Sequence, residues 1–149
     1  MPDPLPPASP ADPHALAPEL RSAVIMAARR IRAERGSADL TDPQYSVLVH
    51  LEKRGELTPG QLADLERIQP PSMTRTVNCL AEDGLVAKQP HATDGRVVVV
   101  SLTDAGRSQV AETRQRRSEW LEHELAEMSD DERRRLADAV ELLRRLARA

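Results

Sequence analysis

The stretch from Thr58 to Thr103 (TPGQLADLERIQPPSMTRTVNCLAEDGLVAKQPHATDGRVVVVSLT) restricts the fold more than any other part of the chain. Thr58 suits an N-cap, Pro59 the first helical position and Gln61 the third, which is a capping box. This predicts a helix over Gln61 to Arg67, roughly two turns, with Leu62 and Leu65 facing inward. Gln69 precedes Pro70 and is pushed out of helical geometry. Pro71 then suits the first turn of a second helix, running to about Asp83. Along it Met73, Val77, Leu80 and Ala81 recur as one buried stripe. Gly84 supplies a left-handed end. Two β-branched runs follow, Leu85 to Gln89 and Val97 to Leu102, bounded by Pro90 and by Thr93-Asp94-Gly95. An Asp-Gly pair between such runs predicts a tight hairpin. The pattern is therefore helix, turn, helix, wing.

The faces left outside this stripe carry a particular chemistry. If Met73, Val77 and Leu80 point inward, the second helix presents Pro71, Ser72, Arg75, Asn78 and Cys79, with Thr74 at its edge. Arg can take guanine O6 and N7 together, Asn adenine N6 and N7, and Ser or Thr either bases or phosphates. The helix N-terminus offers free N–H groups to phosphate. The wing tip adds His91, Thr93, Asp94 and Arg96, and Lys88 lies on its first strand. A cation there can reach a phosphate or the electronegative minor groove. Alone, either surface would read as an ordinary solvated face; together they point to duplex DNA.

These residues carry a resemblance. PPSMTRTVNCLAEDGLV followed by DGRVVVVSLTDAG resembles the MarR family of winged helix-turn-helix regulators, whose wing signature is matched by Asp94, Arg96, Leu102, Thr103 and Gly106. The similarity spans nearly all of the chain after residue 18. It implies a homodimeric, ligand-responsive repressor bound to a pseudo-palindromic operator on double-stranded DNA. The recognition helix (about 71–83) would lie in the major groove and the wing (about 85–102) in the minor groove. Arg96 would enter the minor groove while Asp94 orients the wing. The resemblance further implies a pocket for a small, aromatic acid-like effector near Tyr45, His50 and Trp120, although core packing is the simpler role for each. The chain departs from the pattern at Cys79, where members often carry a basic residue. An oxidisable Cys79 would make a redox-sensing regulator. Redox-sensing relatives carry their cysteine in the first helix, so a small filler residue is favoured. The rival class is a winged-helix module that docks a partner protein.

Charge argues for placement rather than bulk. The formal net charge is −3. Between residues 42 and 103, Lys53, Arg54, Arg67, Arg75, Lys88 and Arg96 face eight carboxylates, whereas nucleic-acid modules are usually basic. Non-specific affinity should be modest, because it scales with the phosphates neutralised. With one Trp, one Tyr and no Phe, the core must be aliphatic. No run approaches the ~20 apolar residues that span a bilayer, no signal-peptide core is visible, and the single cysteine suits a reducing, cytoplasmic setting. No metal-ligand spacing, glycine-rich phosphate loop or G-x-S-x-G is present, so no enzyme, cofactor or metal site is expected.

The flanks complete a mainly α (α+β) expectation: a winged helix-turn-helix with N- and C-terminal helices forming a dimerisation domain. Residues 1–17 hold six prolines and read as a flexible arm. Residues 18–40 hold a dimerisation helix from Glu19 to about Arg35, with Leu20, Val24, Ala27 and Ile31 on one face. Residues 41–103 form the DNA-binding domain, opening on a helix with Asp42 as N-cap, Tyr45, Leu48 and Leu51 inward, and Gly55 at its end. Leu57 should add a short extended segment pairing with the wing. Residues 104–149 form C-terminal dimerisation helices: one capped by Thr103 and very polar in its middle, then one opened by Ser129 and Glu132 with a seam of Leu136, Val140, Leu143 and Leu146. Such seams lack a large enough intrachain partner, and a two-fold contact with a second chain is the simplest cover.

Overall fold

The computed structural model of the protein describes residues 12–149. Eight elements follow in order: α1 (Pro13–Ala33), α2 (Asp42–Arg54), α3 (Pro59–Glu66), α4 (Pro70–Glu82), β1 (Val86–Pro90), β2 (Val98–Leu102), α5 (Asp104–Ala126) and α6 (Asp130–Arg148). The chain divides into two compact units between Ala33 and Glu34. In the first, α1 starts at Pro13, six residues ahead of the Glu19 expected from sequence, and runs through Pro18. Residues 13–17 are thus helical rather than part of an arm. The rest of that expected arm, residues 1–11, lies outside the described residues. Pro13 is tolerated because a proline at the first helical position forfeits no intrahelical bond, whereas Pro18 lies past the first turn and lacks the N–H that would bond His14 O.

In the second unit the helix starts follow from caps. Thr58 accepts from Gln61 N at 3.1 Å while Gln61 Oε1 accepts from Thr58 N at 2.9 Å. Ser129 and Glu132 repeat that box ahead of α6, and Thr103 accepts from Gly106 N at 3.0 Å. The start of α2 differs from the expectation by one residue. Thr41 is the N-cap, boxed with Gln44, and Asp42 is the first helical residue. Asp42 still suits its place, where a carboxylate meets the positive end of the helix. Gly55, at φ 80° and ψ −147°, ends α2 in a conformation open to glycine.

The core is aliphatic and centred on α2, α3 and α4. Leu48, Leu62, Leu80 and Val100 are fully buried, joined by Val47, Leu51, Met73, Val77, Leu102 and Val110. Burial of each such side chain stabilises by about 1.5–3 kcal/mol. Tyr45, expected inward, packs only against the margin of this cluster. β1 and β2 pair antiparallel, Lys88 opposite Val100, and Leu57 bridges to Val100 as a third extended segment, with N–H···O bonds of 3.1 and 2.8 Å.

The reversal between the strands is not the tight Asp-Gly turn. His91–Val97 form a longer loop, in which Val97 N donates to Asp94 O at 3.0 Å and His91 N to Val97 O at 2.7 Å. Gly95 and Arg96 are therefore the central residues of the turn. Gly95 is not at positive φ, as an Asp-Gly hairpin turn would require.

The polar middle of α5 also has a structural reason. Residues 36–38 approach it with three N–H groups. Gly36 N donates to Thr113 Oγ1 (3.2 Å), Ser37 N to Glu112 Oε1 (2.9 Å) and Ala38 N to Gln109 Oε1 (3.1 Å). Arg114 pairs with Glu52 of α2 at 2.6 Å. None of the residues of α6 is buried within the chain, and Leu136, Val140, Leu143 and Leu146 are all exposed.

Candidate nucleic-acid interface

The outer face of α4 follows from its inner one. With Met73, Val77 and Leu80 at or below 1% exposure, the helical repeat turns Ser72, Thr74, Arg75, Asn78 and Cys79 outward, and all five are exposed. The helix opens at Gln69, whose side chain makes no cap bond. It closes at Gly84, at φ 72°, where Leu85 N donates to Leu80 O at 2.9 Å. The turn before α4 differs from the sequence expectation, which kept Arg67 helical. Arg67 instead caps α3 in the left-handed region, at φ 53°.

Hydrogen bonds within this surface decide what each side chain can offer. The Thr74 hydroxyl donates to Pro70 O at 3.0 Å, and the Thr76 hydroxyl to Ser72 O at 3.1 Å. Both spend their proton on their own helix, a common alternative for threonine. Outward, Thr74 presents a methyl group and acceptor lone pairs. Arg75 makes no ion pair among the described residues, and neither does the side chain of Arg96. Lys88 Nζ, on β1, donates to Asn78 Oδ1 at 2.8 Å, a link between wing and helix that sequence spacing did not signal. Cys79 is exposed and accepts a bond from Gln44 Nε2 at 3.5 Å, which ties α4 to the start of α2.

At the wing, His91, Thr93, Asp94 and Arg96 lie together in the exposed loop. Asp94 Oδ1 accepts from Arg96 N at 3.1 Å. His91 Nδ1 lies 3.3 Å from Thr93 N and 3.0 Å from its hydroxyl. The Asp94 bond fixes the backbone of Arg96 and leaves its guanidinium outside. The wing is seated on α5 by a close approach at Gly106, where a Cβ would lie 2.2 Å from Leu85 O. The Thr103 hydroxyl adds a 2.8 Å bond to Gly84 O.

Of the three residues linked above to an effector pocket, His50 and Tyr45 lie in different settings, and Trp120 is half-buried on α5. His50 Nε2 lies 2.7 Å from Glu66 Oε1, which also takes the Ser46 hydroxyl; this ties α2 to α3. The Arg117 guanidinium instead lies over the Tyr45 ring, its Cζ 4.3 Å from the ring centroid. Arg117 in turn donates to Glu34 O at 3.2 Å. Arg114, beside Tyr45, is held above the ordinary guanidinium range first by its hydrogen bond to Glu52. Among the described residues, no helix is long and apolar enough to cross a membrane.

The MarR family model matches residues 40–98. An HTH-type transcriptional regulator of Mycobacterium tuberculosis is 41% identical over 128 residues, spanning 86% of this chain and 90% of the relative. The crystal structure of a Pseudomonas aeruginosa PA01 protein superposes with a TM-score of 0.80 at 33% identity, covering 93% of this chain and 99% of that one. A Staphylococcus aureus MepR mutant bound to an oligodeoxyribonucleotide shares the fold, at a TM-score of 0.68 and 19% identity over 88% of this chain and 97% of that one.

Proposed function

This chain belongs to the MarR family of DNA-binding transcriptional regulators, and from that premise we propose that it is a homodimeric, ligand-responsive repressor. In this reading α4 enters the major groove of a pseudo-palindromic operator, and the wing loop His91–Val97 follows the adjacent minor groove. Bound at promoter DNA, the dimer blocks transcription by occupancy. The carrying observation is the pairing of two outward cations, Arg75 on α4 and Arg96 on the wing, with the polar face of Ser72, Thr74 and Asn78. No large apolar side chain interrupts that face, which disfavours the alternative of a protein-docking module.

Two-fold pairing is supported by the apolar side chains that the single chain leaves in water. On α6 these are Leu136, Val140, Leu142, Leu143 and Leu146; on α1, Leu16, Val24, Ile25 and Met26. Pairing with the same surfaces on a second chain would cover them. Ligand response is supported by the setting of Tyr45, where an aromatic ring lies beside the guanidinium groups of Arg114 and Arg117. That is the chemistry to hold a small aromatic acid. Binding there would compete with the Arg114–Glu52 and Arg117–Tyr45 contacts that join α5 to α2.

Fluorescence anisotropy tests the reading. The protein should bind a duplex from its own upstream region more tightly than random duplex, and weakly to the latter at low salt. Benzoate should weaken the specific complex. Complete absence of binding to any duplex at low salt would favour the protein-docking alternative. A redox reading through the exposed Cys79 would require peroxide to abolish binding in the parent and not in Cys79→Ser.

A further inference from the structure

We propose that Lys88 is a positioning residue that locks the Asn78 carboxamide with its NH2 group outward, so that α4 reads base edges bearing keto oxygens. The inference rests on the placement of α4 in the major groove given above. Lys88 Nζ and Asn78 Oδ1 are 2.8 Å apart. An ammonium has donors and no acceptor, so only the amide oxygen can face it; the flipped amide would set donors against donors. The orientation of Asn78 is thus fixed by the chemistry of its neighbour. Lys88 is itself anchored, because it pairs with Val100 across the sheet and Val100 is bonded in turn to Leu57.

This changes what Asn78 offers. Asparagine takes adenine by using both ends of its amide, accepting from N6 and donating to N7. Lys88 takes one lone pair of the oxygen and holds it toward β1, so the NH2 donors are what the amide presents outward. Arg75, one turn earlier and without an ion pair among the described residues, also only donates. Two neighbouring donors match acceptor edges, which are guanine O6 and N7 or thymine O4. Thr74, whose proton is spent on Pro70 O, adds a methyl group and an acceptor beside them.

Selection from a randomised duplex pool, followed by sequencing, tests this. The base pair read by Asn78 is the one whose preference vanishes in Asn78→Ala. There the parent should favour guanine or thymine over adenine by about tenfold. Lys88→Met should erase that bias at this position alone, and should add nothing in an Asn78→Ala background. Asn78→Asp keeps a partner for Lys88 and loses the NH2, so preference should move to cytosine or adenine, whose amino groups a carboxylate accepts. A Lys88→Met protein that binds every sequence more weakly with an unchanged preference would overturn the inference, as would a parent that selects adenine there. Failure of the parent to enrich any sequence would overturn the groove placement as well.

Discussion

Gly106 shows how one atom fixes the seat of the wing. A Cβ at this position would meet Leu85 O at 2.2 Å and Leu102 Cδ1 at 2.6 Å. The first neighbour is backbone and cannot swing away. Gly106→Ala should therefore destabilise by about 1–3 kcal/mol, the range for an overpacked site, and lower the thermal midpoint; an unchanged midpoint would contradict the close approach. The sequence marked Gly106 only through resemblance, since its reason is a carbonyl some twenty residues away along the chain. Surface residues were easier to assign. The stripe of Met73, Val77 and Leu80 dictated which face of α4 is outward, so Ser72, Arg75 and Asn78 were legible from spacing. Their hydrogen bonds were not, because the partner of Asn78 sits on another element. Arg96→Ala should reduce affinity uniformly across sequences, with a salt slope smaller by about 1. Arg75→Ala should chiefly relax base preference, by about 1–3 kcal/mol at one position. Salt titrations and competition with single-base variants separate these outcomes.

Among elements, those with local signals were the most legible. The boxes at Thr58 and Ser129 and the cap at Thr103 begin α3, α6 and α5 as expected. The Thr41 box was missed in favour of Asp42 because both residue types cap well. The polar centre of α5 was opaque for a different reason. Its partners include the N–H groups of residues 36–38 and Glu52 of α2, which no helical periodicity encodes. The contact with residues 36–38 should be acid-sensitive. The Ser37 hydroxyl bond, with the Ser37 N–H and Arg116 behind it, holds the Glu112 carboxyl below its ordinary value of 4.5. A depressed folded value means the contact contributes fully above 4.5 and is lost as pH falls through the lower, folded value. The Ser37 amide resonance should titrate in that acidic window in the parent and stay flat in Glu112→Gln. A Ser37 resonance indifferent to pH in both proteins would remove Glu112 from the contact.

For the molecule as a whole, charge and apolar surface point the same way. A net charge of −3 leaves little general attraction for phosphate, so binding strength must come from two half-sites engaged together. The seam on α6 was legible as a periodic row, whereas nothing in one chain's sequence can name what covers it. Leu143 is 40% exposed in the single chain, so Leu143→Glu should leave the fold of the subunit intact. It should halve the sedimenting mass and weaken operator binding. A variant that stays two-chained would put the interface elsewhere. Hydroxyl-radical footprinting of the selected duplex tests the central claim most directly. The parent should protect two segments about 34 Å apart, one helical turn, related by approximate two-fold symmetry, with flanking minor-groove protection that disappears in Arg96→Ala. One protected segment, or a pattern unaltered by Arg96→Ala, would contradict it.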